Sequence, residues 1–198
     1  MRYPSSFFAY LFLTVNIILF VATTYFLNFL CFCLSPLALL VILGYSYTKR
    51  FTWLSHFVLG LGLAMAPTGA YLAVTAHFHY LPLLYSLAVL CWVSGFDIIY
   101  ALSDISFDKK QGLHSIPEHF GITTSLIFSL VLHCVSMAVI IVAGIANQQG
   151  LFFWAGTSIF AVLLFYQHYI VRPNDLSRIN FAFFTLNGVS GLILLFFF

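Results

Sequence analysis

Charged residues are scarce in this sequence. Only 6% of its 198 residues are Asp, Glu, Lys or Arg, whereas 63% are hydrophobic. A soluble domain usually carries roughly a quarter charged residues, so the composition excludes an ordinary soluble domain. It also excludes a disordered chain, which requires low hydrophobicity. The seven Lys and Arg residues are too few to follow a phosphate backbone, so we expect no nucleic-acid partner.

Patterned cysteines and internal linkers are also missing. The four cysteines (Cys31, Cys33, Cys91 and Cys134) lie inside apolar runs, without the spacing of a metal site or a disulfide framework. We interpret them as small buried apolar residues. Because no repeat or low-complexity segment divides the chain, we expect a single membrane-embedded helical domain over residues 1–198.

Long apolar stretches are what the sequence does have. Seven of them approach the length of about 20 residues that a helix needs to cross a bilayer. They run approximately from Phe7 to Asn28, Leu30 to Tyr47, Trp53 to Ala76, Tyr80 to Ser103, His119 to Ala146, Leu151 to Val171 and Ile179 to Phe198. The sequence therefore predicts an all-α fold, a polytopic transmembrane bundle of about seven spans.

The few charges fall on one side of the membrane if these spans alternate in direction. Every basic residue is there, namely Arg2, Lys49, Arg50, Lys109, Lys110, Arg172 and Arg178. Basic loops stay in the cytoplasm, so we expect the N-terminus inside and the C-terminus outside. The five acidic residues lie on the same face or at its membrane edge, which predicts that any chemistry takes place at the cytoplasmic face.

Three aspartates, Asp97, Asp104 and Asp108, line up at the cytoplasmic end of the fourth predicted span. On a continuous helix their spacing places them within roughly 40° of one another. A charge inside a bilayer costs on the order of 2.5–3.5 kcal/mol, and no Lys or Arg in the span compensates Asp97. Three interpretations follow: the row binds Mg²⁺ together with substrate phosphate oxygens, it conducts protons, or it is solvated at the helix end.

Three histidines in the predicted spans, His56, His133 and His168, have no partner that the sequence identifies. We interpret them as ordinary satisfied or boundary histidines.

The aspartate row is part of a longer motif. It reads Asp97-x-x-Tyr100-x-x-x-Asp104-x-x-x-Asp108, followed by Gly112-Leu-His-Ser115-Ile-Pro and by Phe120-Gly121. This motif resembles the second aspartate-rich motif of the UbiA superfamily of membrane prenyltransferases, and it is most similar to the 4-hydroxybenzoate polyprenyltransferase branch. Segments from Tyr45 to Thr52 and from Asn180 to Gly188 are similar to the same family.

The resemblance implies a Mg²⁺-dependent enzyme of a bacterial inner membrane. It would transfer a polyprenyl group from polyprenyl diphosphate to an aromatic acid such as 4-hydroxybenzoate, in ubiquinone or other quinone biosynthesis. In that family a helical bundle surrounds a central cavity, where Mg²⁺ is held against the diphosphate. The residues carried over are the catalytic and metal-binding Asp97, Asp104 and Asp108 and the substrate-binding Lys49, Arg50 and Tyr100.

The chain departs from the family in one respect. The first aspartate-rich motif has no counterpart, because no acidic residue precedes Tyr45. Since the family has nine spans, we expect a bundle shortened at its N-terminus by one helical pair. Two alternatives to an active prenyltransferase therefore remain: an inactive truncated relative, and a proton- or ion-coupled membrane carrier that uses the Asp97 and Asp104 row.

Overall fold

The computed structural model of the protein describes residues 6–197, and within that range it contains helices and no β-strand. The helices are α1 (Ser6–Leu27), α2 (Phe29–Thr48), α3 (Ser55–Thr75), α4 (Tyr80–Ala101), α5 (Ile105–Gln111), α6 (Ile116–Phe120), α7 (Ile122–Ala146), α8 (Leu151–Ile170) and α9 (Asn187–Phe197). A 3₁₀ turn (Leu102–Asp104) joins α4 to α5, and a π-helical segment (Phe181–Leu186) leads into α9. The predicted all-α class is confirmed.

Six of the seven predicted spans are helical segments long and apolar enough to cross a membrane. The seventh predicted span is instead the shorter apolar helix Phe181–Phe197. The fourth span is longer than predicted: α4, the 3₁₀ turn and α5 follow one another without a loop, so the helical segment runs from Tyr80 to Gln111. Arg2 lies outside the described residues, and the assignment of the basic loops to the cytoplasm stays a prediction.

Asn28 makes the tight turn between α1 and α2, which contains no glycine or proline. Its backbone is extended, and its side-chain oxygen accepts a hydrogen bond from the Cys31 amide at 2.9 Å, which caps α2. Its side-chain amide donates to the carbonyl oxygen of Leu72 at 2.8 Å. One side chain therefore both ends the turn and ties it to α3, since an asparagine can satisfy the backbone groups that a helix end leaves free.

The fifth predicted span begins later than expected. Ser115 caps the short helix α6 by accepting a hydrogen bond from the Glu118 amide at 3.3 Å. Gly121 then separates α6 from α7 with a backbone φ of +80°, a conformation that a residue with a Cβ adopts only at a cost. His119, the predicted first residue, thus belongs to α6 and the span itself starts at Ile122.

Helix α4 lies at the centre of the bundle and packs most extensively against α3 and α7. Side chains of α7 donate hydrogen bonds to backbone carbonyls of α4: Ser129 to Gly95 at 2.7 Å and Ser136 to Ala88 at 2.8 Å. Lipid cannot hydrogen-bond these groups, so such bonds between helices add to the packing that holds a membrane bundle together. The helix with the aspartates is therefore held from both sides.

His133 and His168 are satisfied histidines whose partners the sequence did not identify. The two rings are joined by a hydrogen bond of 2.9 Å between His133 Nδ1 and His168 Nε2. The other nitrogen of His133 lies 3.3 Å from the carbonyl oxygen of Trp92. The pair connects α8 through α7 to α4, a contact between distant segments that no local pattern reveals.

Candidate active site

The three predicted aspartates do not form one continuous helical stripe. Helix α4 ends at Ala101, and Asp104 lies in the 3₁₀ turn and is the residue that precedes α5. The Ser103 hydroxyl donates to the Tyr100 carbonyl at 2.8 Å, which offers the backbone a local bond in place of a regular helical one. The carboxylates therefore face different surroundings.

Asp97 is held by a residue of α3. Its Oδ2 lies 2.7 Å from Nδ1 of His56, and the exposed fraction of its side chain is 15%. Among the described residues, no donor occupies its second oxygen, Oδ1. The carboxylate near the membrane interior is thus fixed at one oxygen and free at the other.

Asp104 is half-buried and only weakly engaged. Its described contact is a hydrogen bond of 3.3 Å from the hydroxyl of its neighbour Ser103. Its carboxylate is therefore available to a ligand, and its predicted role as a metal ligand stays a prediction.

Asp108 has a different environment. Its side chain is only 1% exposed and forms an ion pair with Lys49, whose Nζ lies 3.1 Å from Oδ2 and 3.3 Å from Oδ1. Lys49 and Asp108 were both predicted to bind ligands, and in the structure they bind each other. For Asp108 to bind a metal, this ion pair would first have to open.

The backbone of Lys49 also holds the loop that follows α5. Its carbonyl oxygen accepts a hydrogen bond from the His114 amide at 2.7 Å. Gly112 lets the chain turn back at this point, with a φ of +62° that ends α5. The ion pair and this hydrogen bond therefore connect three segments next to Asp108: the end of α2, helix α5 and the loop before α6.

Tyr100 belongs to an aromatic row on α4. Trp92, Phe96 and Tyr100 are four residues apart, so they lie on the same side of the helix. The ring of Tyr100 stacks on Phe183 at 4.1 Å between centroids, and Phe96 contacts Phe183 at 5.6 Å. Trp92 continues the row 5.5 Å from Phe96 and lines an apolar cavity of about 210 Å³. The row connects that cavity with the part of α4 that bears Asp97.

Arg50, the other predicted substrate-binding residue, is exposed. Its guanidinium lies 5.8 Å from the centre of the Tyr47 ring, in the first turn beyond α2. It forms no ion pair with an aspartate among residues 6–197. It is free to meet a ligand that approaches from the membrane surface.

The carboxylate oxygens of Asp97 and Asp104 suit a magnesium ion only if a substrate supplies some of the metal's other ligands. Within the described part of the chain, no three Asp, Glu, His or Cys side chains are grouped closely enough to hold a metal ion. Mg²⁺ needs one or two carboxylates, because it completes its shell with water and phosphate oxygens. Asp97 and Asp104 supply such oxygens, so the donor set fits a magnesium ion that is bound jointly with a diphosphate.

His56 is the residue that sequence reasoning missed. It was interpreted as an ordinary satisfied or boundary histidine, and its contact with Asp97, made by a fully buried ring, was not identified. One signal was present: a carboxylate inside a membrane span needs a partner, and His56 is the only Lys, Arg or His in the segment Ser55–Thr75.

Asp175, by contrast, lies far along the chain in an exposed turn after α8. The amide and hydroxyl of Ser177 donate to its carboxylate at 3.0 and 2.7 Å, and these bonds hold the pKa of Asp175 below its ordinary value. This fully exposed carboxylate has a local structural role and serves as a control for the other three.

Fold and site together define an integral membrane protein of the helical-bundle type with acidic and basic side chains joined at the ends of α2 and α5. The model of the UbiA prenyltransferase family matches residues 4–189. The chain belongs to that family.

Similar proteins agree with this assignment. A 4-hydroxybenzoate octaprenyltransferase of Nitrosomonas eutropha is 31% identical over 167 residues, which cover 84% of this chain and 58% of that protein. A protein of the same name from Francisella tularensis subsp. novicida is 28% identical, covering 85% of this chain and 59% of its own length. The chain thus spans less than two thirds of these relatives.

A solved structure has the same fold. The apo structure of a UbiA homolog from Aeropyrum pernix superposes with a TM-score of 0.86 at 28% sequence identity. The match covers 97% of this chain and 73% of the other. The predicted membership of the UbiA superfamily is confirmed.

Proposed function

We propose that this chain transfers a polyprenyl group from polyprenyl diphosphate to an aromatic acid of the 4-hydroxybenzoate type, in quinone biosynthesis. The observation that carries the proposal is the pair of carboxylates with free oxygens, Asp97 on α4 and Asp104 in the 3₁₀ turn after it, in the segment that a prenyltransferase family motif occupies. Relatives named 4-hydroxybenzoate octaprenyltransferase support the choice of donor and acceptor.

The chemistry assigns each group a task. Asp97 and Asp104 would hold Mg²⁺ against the diphosphate, with Asp108 as a third carboxylate if Lys49 leaves it. The metal, when bound, offsets the negative charge that grows on the diphosphate as the allylic C–O bond breaks. Lys49 and Arg50 would bind diphosphate oxygens, because ammonium and guanidinium groups stabilise the same developing charge.

The reaction breaks one bond and forms another. The diphosphate leaves with the electron pair of the C–O bond, a carbon of the acceptor ring bonds to the allylic carbon, and that ring carbon then loses its proton. The aromatic row of Trp92, Phe96 and Tyr100 supports this step, since aromatic faces attract a cation and exclude water. The apolar cavity at Trp92 suits part of the polyprenyl tail.

We assign the site to the cytoplasmic face of a bacterial inner membrane. The arrangement of basic residues supports this sidedness. Six of them follow α2, α4 or α8, the helices that end on one side if the spans alternate, namely Lys49, Arg50, Lys109, Lys110, Arg172 and Arg178.

A transfer assay tests the proposal. Membranes that contain the chain are incubated with octaprenyl diphosphate, 4-hydroxybenzoate and Mg²⁺, and the prenylated acid is quantified. We expect product that EDTA abolishes and that Asp104→Asn lowers about 100-fold, whereas Asp175→Asn leaves it unchanged. Product that persists with EDTA contradicts the metal-dependent mechanism. If the chain gives no product while a full-length relative assayed in parallel is active, the chain is an inactive family member.

A further inference from the structure

A buried imidazole joins the aspartate helix to the loop before α6. His56, in the first turn of α3, is fully enclosed, and both of its ring nitrogens have partners. Nδ1 lies 2.7 Å from Oδ2 of Asp97, and Nε2 lies 3.3 Å from the backbone nitrogen of Ile116. A single ring thus contacts α4 on one side and the start of α6 on the other.

The two partners determine where the ring carries its proton. The backbone N–H of Ile116 is a donor, so Nε2 is the acceptor of this contact. The Asp97 carboxylate is an acceptor, so Nδ1 must donate. The ring therefore bridges the two groups, with Nδ1 donating to Asp97 and Nε2 accepting from the Ile116 amide.

We infer that His56 is a positioning residue of this site, an inference that rests on the proposed function for the role of Asp97. By occupying Oδ2, the ring fixes the orientation of the Asp97 carboxylate and leaves Oδ1 without a donor among the described residues. Metal-binding carboxylates are commonly oriented by hydrogen bonds of this kind from groups that do not touch the metal.

The same ring also fixes the loop that Lys49 holds. Ile116 is two residues beyond His114, whose amide donates to the Lys49 carbonyl oxygen at 2.7 Å. The loop is thus attached at His114 to the proposed diphosphate-binding lysine and at Ile116 to the histidine that holds Asp97. Through His56 and this loop, the Asp97 carboxylate and Lys49 are held in a fixed position relative to each other, although they belong to different helical segments.

The position of the ring proton tests this inference in the unmodified protein. Histidine labelled with ¹⁵N gives separate NMR signals for protonated and unprotonated ring nitrogens, and the His56 signals are identified by their loss in His56→Gln. We expect Nδ1 to carry the hydrogen that it donates to Asp97. A ring whose Nδ1 carries no hydrogen overturns the inference.

Matched variants test the positioning role. A glutamine has one amide donor and one carbonyl acceptor, so His56→Gln can keep both contacts, whereas His56→Leu keeps the apolar volume and neither contact. His77→Leu makes the same chemical change at an exposed histidine in the turn between α3 and α4. Calorimetry with Mg²⁺ and geranyl diphosphate measures ligand affinity, and hydrogen exchange measures the protection of the Ile116 amide.

We expect His56→Leu to weaken binding about tenfold or more and to expose the Ile116 amide, since a hydrogen bond to a charged group is lost. His56→Gln restores both properties, and His77→Leu alters neither.

If the wild type binds and His56→Leu binds equally well, the positioning role is wrong while the proposed function stands. If His56→Leu fails to fold, unchanged affinity in a His56→Ala variant overturns the role in the same way. A wild type that binds no magnesium diphosphate overturns the proposed function itself, whatever the ring tautomer.

Discussion

Lys49 and Asp108 form an ion pair across 59 residues of sequence, with Nζ 3.1 Å from Oδ2. The two sides of the pair are unequal, because the Asp108 side chain is 1% exposed and that of Lys49 is 28% exposed. The aspartate depends on the lysine to offset its charge, whereas the lysine can turn to water.

This difference in exposure predicts that removing Lys49 and removing Asp108 lower the free energy of unfolding by different amounts. Lys49→Met should lower the free energy of unfolding by about 3 kcal/mol or more, because it leaves a buried carboxylate without a counter-charge. Asp108→Asn should cost about 1–2 kcal/mol, because the freed ammonium regains water. Reversible unfolding in mixed micelles measures both.

The double variant supplies the control. Lys49→Met combined with Asp108→Asn should be more stable than the sum of the single effects predicts, by about 1–3 kcal/mol of coupling. Strictly additive effects would show that the two side chains do not interact in the folded protein.

A second prediction concerns the contact between α3 and α4 beneath the site. A Cβ placed on Gly60 would meet the Leu90 carbonyl oxygen at 2.7 Å and the Ser94 hydroxyl, whereas a Cβ on Gly62 meets nothing within 4 Å. Gly60→Ala should therefore destabilise the protein by about 1–3 kcal/mol through overpacking. Gly62→Ala, on the same helix, should be neutral or stabilising, because alanine favours helix more than glycine does. Equal stability of the two variants would contradict the close approach of these helices.

The sidedness of the bundle gives a third prediction. In a background without the four native cysteines, Gln111→Cys and Asn147→Cys place single exposed thiols after α5 and after α7. An impermeant maleimide added to intact cells should label Cys at 147 and should reach Cys at 111 only after the cells are opened. The opposite pattern would show that the aspartates lie on the outer face.

The sequence predicted the helices well because their formation depends on composition alone. Runs of apolar residues around 20 long have no other stable arrangement in a bilayer, so six spans follow directly. The boundary at Ser103 could not be predicted, because a 3₁₀ turn depends on which local hydrogen bonds prevail.

The site was predicted in part. Family motifs selected Asp97, Asp104 and Lys49, and the structure places hydrogen-bonding or ionic groups around each of them. The pairing of Asp108 with Lys49 and of Asp97 with His56 was not predictable, because each joins helices whose relative positions only the tertiary fold determines.

The central claim is that Asp97 and Asp104 bind a magnesium-bridged diphosphate, and calorimetry on the purified chain tests it most directly. Octaprenyl diphosphate is titrated with and without Mg²⁺, into the wild type, into Asp97→Asn with Asp104→Asn, and into Asp175→Asn as the control. We predict binding that requires Mg²⁺, that is lost in the double variant and that is retained in the control. Binding of equal strength without Mg²⁺, or in the double variant, would contradict the account.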